Sequence, residues 1–206
     1  MRSSLARATR QILFFRALKQ HAPIWLVMLL AVVVAIAGPA MGLTLRYERA
    51  AILTGEPWRL VSAHLVHLGP THLALNLTGL ALVYGLFQSA LTPLAWSVVL
   101  LSSALSTGLG LLLLQPEIHW YVGLSGVLHG LFLSGALAAR RSEPRLSVLC
   151  LVALAVKISL ELIGNDPWQT AALTGGPVVS IAHLYGALGG LLVLALPSKT
   201  SPPVSE

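Results

Sequence analysis

Long apolar runs separated by short polar segments dominate the chain. Residues 60–116 hold no charged side chain, and this stretch is too long for one membrane crossing of about 20 residues. Thr92-Pro93 interrupts it, because the position before a proline disfavours the helical conformation. The pattern therefore predicts six apolar helices. Their expected bounds are 24–45, 72–90, 93–114, 125–139, 146–163 and 180–196.

Composition favours a membrane protein over a soluble one. Of 206 residues, 56% are hydrophobic and 10% are charged, whereas soluble domains carry about 25% charged residues. We therefore expect an all-α polytopic membrane protein, a bundle of six transmembrane helices with the lipid bilayer as its surroundings. The net charge of +6 does not indicate a nucleic-acid partner, because the basic residues flank apolar runs and leave no soluble basic domain.

The distribution of charge predicts the domains and the topology. Residues 1–23 form a basic leader, 24–197 the six-helix membrane domain and 198–206 a disordered tail. The leader resembles a signal peptide, but its apolar stretch exceeds the usual 7–15 residues, so we expect a retained helix. Six helices put both termini on one side with Arg140, Arg141 and Arg145, and the excess of basic residues marks that side as cytoplasmic.

Four polar residues lie at similar depth in the predicted bundle. His72 and Asn76 begin the second helix, Ser125 begins the fourth, and His183 lies in the first turn of the sixth. With this topology all three helices start from the outer face. Apolar segments rarely carry such groups unless the groups face one another or a water-filled cavity.

These residue types suit acyl-transfer chemistry. The Ser125 hydroxyl needs a base, and an imidazole such as that of His183 suits that role. The oxyanion formed by attack on an amide needs donors aimed at it, which His72, Asn76 and the Ser125 N–H could supply. Small residues four apart allow close helix approach, and they occur beside both Ser125 and His183, at Gly126, Gly130 and Ser134 and at Gly186 and Gly190.

Four short motifs resemble those of the rhomboid family of intramembrane serine proteases. "GEPWR" (55–59) resembles G-x-x-W-R of the family's first outer loop, and "HLALN" (72–76) resembles H-x-x-x-N of its second helix. "GLSG" (123–126) resembles the nucleophile motif G-x-S-G, and "AHLYG" (182–186) resembles A-H-x-x-G around the base. The motifs occur in the family's order and cover residues 20–196.

The resemblance implies a site and a location. It implies Ser125 as nucleophile, His183 as general base and acid, and His72 with Asn76 in the oxyanion hole. Gly123 and Gly126 would support the nucleophile. It also implies six helices around a water-accessible cavity that opens outward, no metal and no organic cofactor, and a membrane-anchored protein as substrate. The expected location is the bacterial inner membrane, with the site opening to the periplasm.

One position departs from the family pattern. Rhomboids usually carry an aromatic residue four positions after the nucleophile, where this chain has His129. "GLSGVLHG" and the small size of the chain resemble the rhombosortase subfamily. That resemblance implies exported substrates with a C-terminal Gly-Gly motif, a hydrophobic helix and a basic end. We expect His129 to pack beneath His183, and as an alternative it could itself serve as the base.

Other polar residues leave alternatives open. His64, His67 and His72 could hold a metal, although no cysteine or carboxylate accompanies them. Lys157 and Glu161 lie one helical turn apart and form either part of a substrate gate or a solvated pair at a helix end. Asp166 could orient the base, but the turn-like "GNDPW" accounts for it equally well, and rhomboids use a Ser–His dyad.

Two further classes of protein fit parts of the pattern. One is a non-proteolytic rhomboid-like protein that binds membrane clients, which loss of the serine or the base would favour. The other is a metal- or haem-binding membrane subunit with His72 and His183 as ligands. The pattern does not indicate an oligomeric state. Cys150, the single cysteine, lies in an apolar run and is expected to be a core residue.

Overall fold

Helices make up most of the described chain, which in the computed structural model comprises residues 21–164 and 170–196. The expected leader up to residue 20, the tail and Asp166 lie outside the described residues. The helices in chain order are α1 His21–Ile36, α2 Pro39–Leu45, α3 Arg49–Leu53, α4 Arg59–Ser62, α5 Pro70–Phe87, α6 Pro93–Leu114, α7 Ser125–Ala139, α8 Pro144–Leu162, α9 Thr170–Thr174 and α10 Ile181–Gly190. The 3₁₀ turns are Ala63–Leu65 and Leu191–Ala195, and the strands are β1 Tyr47–Glu48 and β2 Trp120–Tyr121.

Helix starts follow local sequence signals. The bounds of α6 and α7 coincide with those predicted from the apolar pattern. Thr92 caps α6, since its hydroxyl oxygen accepts from the Ala95 N–H at 3.1 Å. Helices α5 and α8 both start with a proline, two residues earlier than predicted. Proline suits the first helical position because it has no N–H to leave unpaired.

Two of the predicted helices are not continuous α-helices. The expected helix over 24–45 is divided into α1 and α2, because Gly38 has a φ of 84° and Pro39 starts the next helix. The sixth predicted helix is α-helical in α10 and continues as the 3₁₀ turn Leu191–Ala195. The polar segment after α2 contains β1, which pairs antiparallel with β2 through Tyr47 and Tyr121.

The centre of the bundle is α7, which contacts α5, α6, α8 and α10. Its closest neighbour is α10, and glycines make that approach possible. A Cβ added at Gly186 would lie 1.9 Å from the carbonyl oxygen of Gly126, and one at Gly190 would lie 2.4 Å from that of Gly130. The Ser134 hydroxyl donates to the Gly190 carbonyl at 2.7 Å. The two helices therefore meet backbone to backbone.

Length and composition mark two described helices, α5 and α6, as able to cross a membrane. The segments His21–Ile36, Ser125–Ala139 and Ile181–Ala195 are shorter apolar helices. Large apolar side chains are exposed on the outer faces of α5, α6 and α8, for example Leu82, Leu113 and Leu149. Exposed apolar surface of this extent is typical of a face that contacts lipid or another protein.

Candidate active site

Ser125 and His183 meet at the contact between α7 and α10. Ser125 is the first residue of α7, and His183 lies in the first turn of α10. The Ser125 Oγ and the His183 Nε2 are 3.0 Å apart. His183 is 2% exposed, so its ring is held by the surrounding protein. The hydroxyl and imidazole that the sequence suggested as partners are therefore within hydrogen-bonding distance.

The other ring nitrogen of His183 contacts a carboxylate. Its Nδ1 lies 2.7 Å from Oε2 of Glu161, which is near the end of α8. The second oxygen, Oε1, accepts a hydrogen bond from the Lys157 ammonium. The Glu161 side chain is 3% exposed and that of Lys157 is 34% exposed, so the interpretation of the two as a solvated pair is wrong for the carboxylate. The only sequence signal for this contact was a Lys and a Glu four residues apart.

His129 stacks on the face of the His183 ring. The ring centroids are 4.0 Å apart and the planes differ by 12°, so the expected packing is present. The His129 Nδ1 donates to the main-chain carbonyl of Ser125 at 2.7 Å. The Ser125 hydroxyl is directed to His183, and this geometry favours His183 over His129 as the partner of the hydroxyl.

His72 and Asn76 lie one turn apart on α5, and both side chains are buried. The Leu68 N–H donates to the His72 Nδ1 at 3.3 Å, which leaves the proton of a neutral ring on Nε2. A Cβ added at Gly123 would lie 3.0 Å from that Nε2, so the ring reaches the residues just before Ser125. Asn76 Nδ2 donates one of its two hydrogens to the His72 carbonyl at 3.1 Å, and the other is available to a ligand.

The loop before Ser125 is fixed by hydrogen bonds to other elements. Gly123 has a φ of 120°, and its N–H donates to the Ala63 carbonyl at 3.2 Å. Its carbonyl accepts from the Tyr121 hydroxyl at 2.9 Å and lies 3.1 Å from the His64 Nδ1. Burial raises the pKa of Tyr121 to about 12, so the phenol keeps its donor proton. Burial also lowers the pKa of His64, whose Nε2 lies 3.1 Å from the Ala104 carbonyl.

Several of the candidate side chains line one cavity of about 540 Å³. The wall near the reacting groups contains Ser125, His183, His72, Asn76 and His129. The rest of the lining is mainly apolar and includes the loop of β2 and the segment after α9. A carbonyl group that entered this cavity would meet a hydroxyl, its base and candidate donors together. The arrangement is suited to nucleophilic attack by Ser125 on an acyl group.

A metal site fits these residues poorly. Within the described residues, one set of three candidate ligands is found, namely His129, Glu161 and His183, with ligand atoms within 4.8 Å of one another. Both Glu161 oxygens already have partners, one of them the Lys157 ammonium. The nearly parallel histidine rings do not converge on a common point. The predicted alternative set of His64, His67 and His72 does not form such a cluster in the described part of the chain.

Comparisons with known proteins identify the family of the chain. The family model described as "Rhomboid domain" matches residues 54–200 of the chain. The Bacillus subtilis (strain 168) protein named "Putative rhomboid protease YdcA" is 26% identical over 146 residues, which cover 69% of this chain and 68% of that protein. The family model covers well over half of the chain. The protein therefore belongs to the rhomboid family of integral membrane proteins, whose members are generally intramembrane serine proteases.

Proposed function

We propose that the protein is an intramembrane serine endopeptidase with six membrane-spanning helices. The observation that carries this proposal is the 3.0 Å contact between the Ser125 Oγ and the His183 Nε2 at the wall of a cavity. A serine hydroxyl next to a buried imidazole is the arrangement that general-base activation requires. Family membership supports the membrane location and the type of reaction.

The reaction follows from the positions of the two groups. The Ser125 oxygen attacks the scissile carbonyl carbon, and its proton passes to the His183 Nε2 as the oxygen–carbon bond forms. The tetrahedral intermediate then collapses, the carbon–nitrogen bond breaks, and His183 gives the proton to the leaving amine. A water molecule, deprotonated by His183, next attacks the ester carbon; the bond from that carbon to the Ser125 oxygen breaks, His183 returns the proton to this oxygen, and a carboxylic acid is released.

The oxyanion would be held by three donors. The His72 Nε2–H, the second Asn76 amide hydrogen and the Ser125 N–H are the groups proposed for this role. Ser125 is the first residue of α7, where main-chain N–H groups have no partner within the helix and the helix dipole favours negative charge. Loss of one such donor typically lowers kcat by about 10²–10³-fold. We expect Asn76→Ala to show a loss of that size.

The proposed substrates are exported bacterial proteins with a single membrane helix, and the proposed location is the bacterial inner membrane. Both termini would be cytoplasmic and the cavity would open to the periplasm. The resemblance of "GLSGVLHG" to rhombosortases supports a more specific substrate, a C-terminal tail with Gly-Gly, a hydrophobic helix and a basic end. Small residues let an unwound substrate backbone reach Ser125 with little steric hindrance.

The first test is whether Ser125 is activated. Purified protein in detergent is exposed to a fluorophosphonate probe, and the adduct is located by mass spectrometry in wild type, Ser125→Ala, His183→Ala and His129→Ala. We expect labelling at Ser125 that requires His183 and persists without His129. Folded wild-type protein without any adduct would contradict the proposal and favour a client-binding protein.

The second test concerns the substrate. Wild-type protein and the variants of the first test are reconstituted in liposomes with a single-span reporter that ends in the Gly-Gly tail. A matched reporter has the two glycines replaced by leucine. Cleavage of the first reporter alone would support the rhombosortase-like specificity. Equal cleavage of both would contradict that specificity and leave a rhomboid protease of broader range.

A further inference from the structure

Glu161 is a buried carboxylate on a helix whose outer face is apolar. Its side chain is 3% exposed, while the outer face of α8 is formed by exposed apolar residues such as Val152 and Val156. Burial of a charged group is unfavourable unless the group is paired and hydrogen-bonded. Ionisable residues at such positions usually face the interior of a bundle and have functional roles.

Both oxygens of this carboxylate have partners that define its orientation. Oε2 accepts from the His183 Nδ1 at 2.7 Å, and Oε1 accepts from the Lys157 ammonium on the preceding turn. The two contacts come from different helices, α8 and α10. Lys157 thus fixes the carboxylate on one side, and the imidazole occupies the other. The contact of Glu161 with His183 is a specific pairing between two buried side chains, each 3% exposed or less.

The position of the carboxylate determines what the imidazole can do. A carboxylate at Nδ1 holds the proton on that nitrogen and leaves the lone pair of Nε2 free to accept the Ser125 proton. It also stabilises the imidazolium that forms during attack. The line of contacts runs from Lys157 through Glu161 and His183 to the Ser125 Oγ, with the last step at 3.0 Å.

We propose that Glu161 is a positioning residue and the third member of a Ser125–His183–Glu161 triad, with Lys157 holding the carboxylate in place. This inference rests on the proposed function, because it assigns Glu161 a role only if Ser125 is the nucleophile. It differs from the Ser–His dyad that the family resemblance implied. The hypothesis that Lys157 and Glu161 shape a substrate gate is not tested by these contacts and stays a prediction.

The test uses the full chain in liposomes with the single-span reporter and compares kcat, KM and the rate of fluorophosphonate labelling at Ser125. Glu161→Gln keeps the size of the side chain and removes its charge. We expect kcat and the labelling rate to fall about 10⁴-fold, as in other triads that lose the carboxylate. KM should change less than about twofold, since Glu161 does not line the cavity. Glu161→Asp should recover part of the loss, and Glu143→Gln, the same change just before α8, should have no effect.

A second comparison separates a positioning role from a structural one. In a His183→Ala background the carboxylate has no imidazole to act on, so adding Glu161→Gln should lower the residual rate no further. Independent losses in that background would overturn the inference. So would a Glu161→Gln variant that is folded and labelled at the wild-type rate. If Glu161→Gln does not fold, Glu161→Asp and Lys157→Met test the position of the carboxylate in its place, and wild-type kcat in both folded variants would overturn the inference.

A metal site and an inactive protein would each give results that differ from those of the triad. Activity that is lost with EDTA and restored by zinc would assign His129, Glu161 and His183 to a metal and overturn the triad. If the protein is not a serine protease, wild-type protein would show neither cleavage nor labelling. Labelling that needs Ser125 and His183 but not Glu161 would overturn the triad alone.

Discussion

Gly186→Ala tests whether the close contact of α7 and α10 sets the distance between Ser125, the proposed nucleophile, and His183, the proposed base. The added Cβ would lie 1.9 Å from the Gly126 carbonyl oxygen and 2.3 Å from its carbon. Carbon atoms of this kind essentially never approach closer than 3.0 Å, and both atoms that it meets belong to the backbone. No side-chain rotation can relieve the overlap, so the two helices must move apart.

The expected magnitude follows from the geometry. Relief of the overlap requires a separation of about 1 Å or more, and His183 lies one turn before Gly186 on the same helix. The distance from the His183 Nε2 to the Ser125 Oγ is 3.0 Å, and a shift of this size would lengthen it to about 4 Å, beyond hydrogen-bonding range. Misplacement of reacting groups by about 1 Å typically lowers the rate about 10²-fold.

The assay is the rate of fluorophosphonate labelling at Ser125, which does not depend on entry of a protein substrate. We expect Gly186→Ala to label about 10²-fold more slowly than wild type. Gly85→Ala is the matched control, because it also adds a methyl group to a helix but meets nothing within 4 Å. The unfolding midpoint in detergent is measured for both variants. Folded Gly186→Ala protein that labels at the wild-type rate would refute the proposed link between helix contact and reactivity.

Three other predictions concern the surroundings of the site. His129→Ala should slow labelling up to about tenfold, since a stacked ring contributes about 0.5–1.5 kcal/mol, and His129→Phe should restore the rate. If His129→Ala abolished labelling, as His183→Ala is expected to do, the supporting role of His129 would be contradicted. Arg59→Met should lower the free energy of unfolding by about 2–4 kcal/mol, because the buried guanidinium pairs with a carboxylate and donates to two main-chain carbonyls, whereas exposed Arg141→Met should change little. Burial lowers the pKa of His67 from 6.5 to about 4, so between these pH values the folded chain binds fewer protons than the unfolded chain. The free energy of unfolding should therefore fall by up to about 3 kcal/mol as pH falls from 6.5 to 4. A His67→Gln variant with the same loss over that range would exclude His67 as the cause.

Sequence patterns predicted the contact of Ser125 with His183 because both features on which it depends are local. The small residues that allow close helix approach recur every four positions, and the two polar residues each lie in the first turn of a helix. Depth in the bundle follows from position along a helix. Agreement between the pattern and the structure is therefore closest for α6 and α7, whose bounds are set by nearby residues.

The contact of Glu161 with His183 could not be predicted in the same way. Helical periodicity places Glu161 above Lys157, but it does not give the rotation of α8 about its own axis. That rotation depends on tertiary contacts such as the hydrogen bond from the Ser147 hydroxyl to the Ala136 carbonyl, 2.7 Å long. The pairing of β1 with β2 was missed for a related reason, since two residues are too few to show an alternating pattern.

The position of His183, the proposed base, on the last described helix has a consequence for biosynthesis. Chains are made from the amino terminus, so Ser125, the oxyanion donors and Glu161 are all synthesised before α10. In the proposed enzyme, no nascent form that lacks α10 has a base next to its nucleophile. Insertion of α10 would then bring His183 to Ser125 and create activity. The proposed protease would in this way be unable to cleave its own helices before they are packed in the bundle.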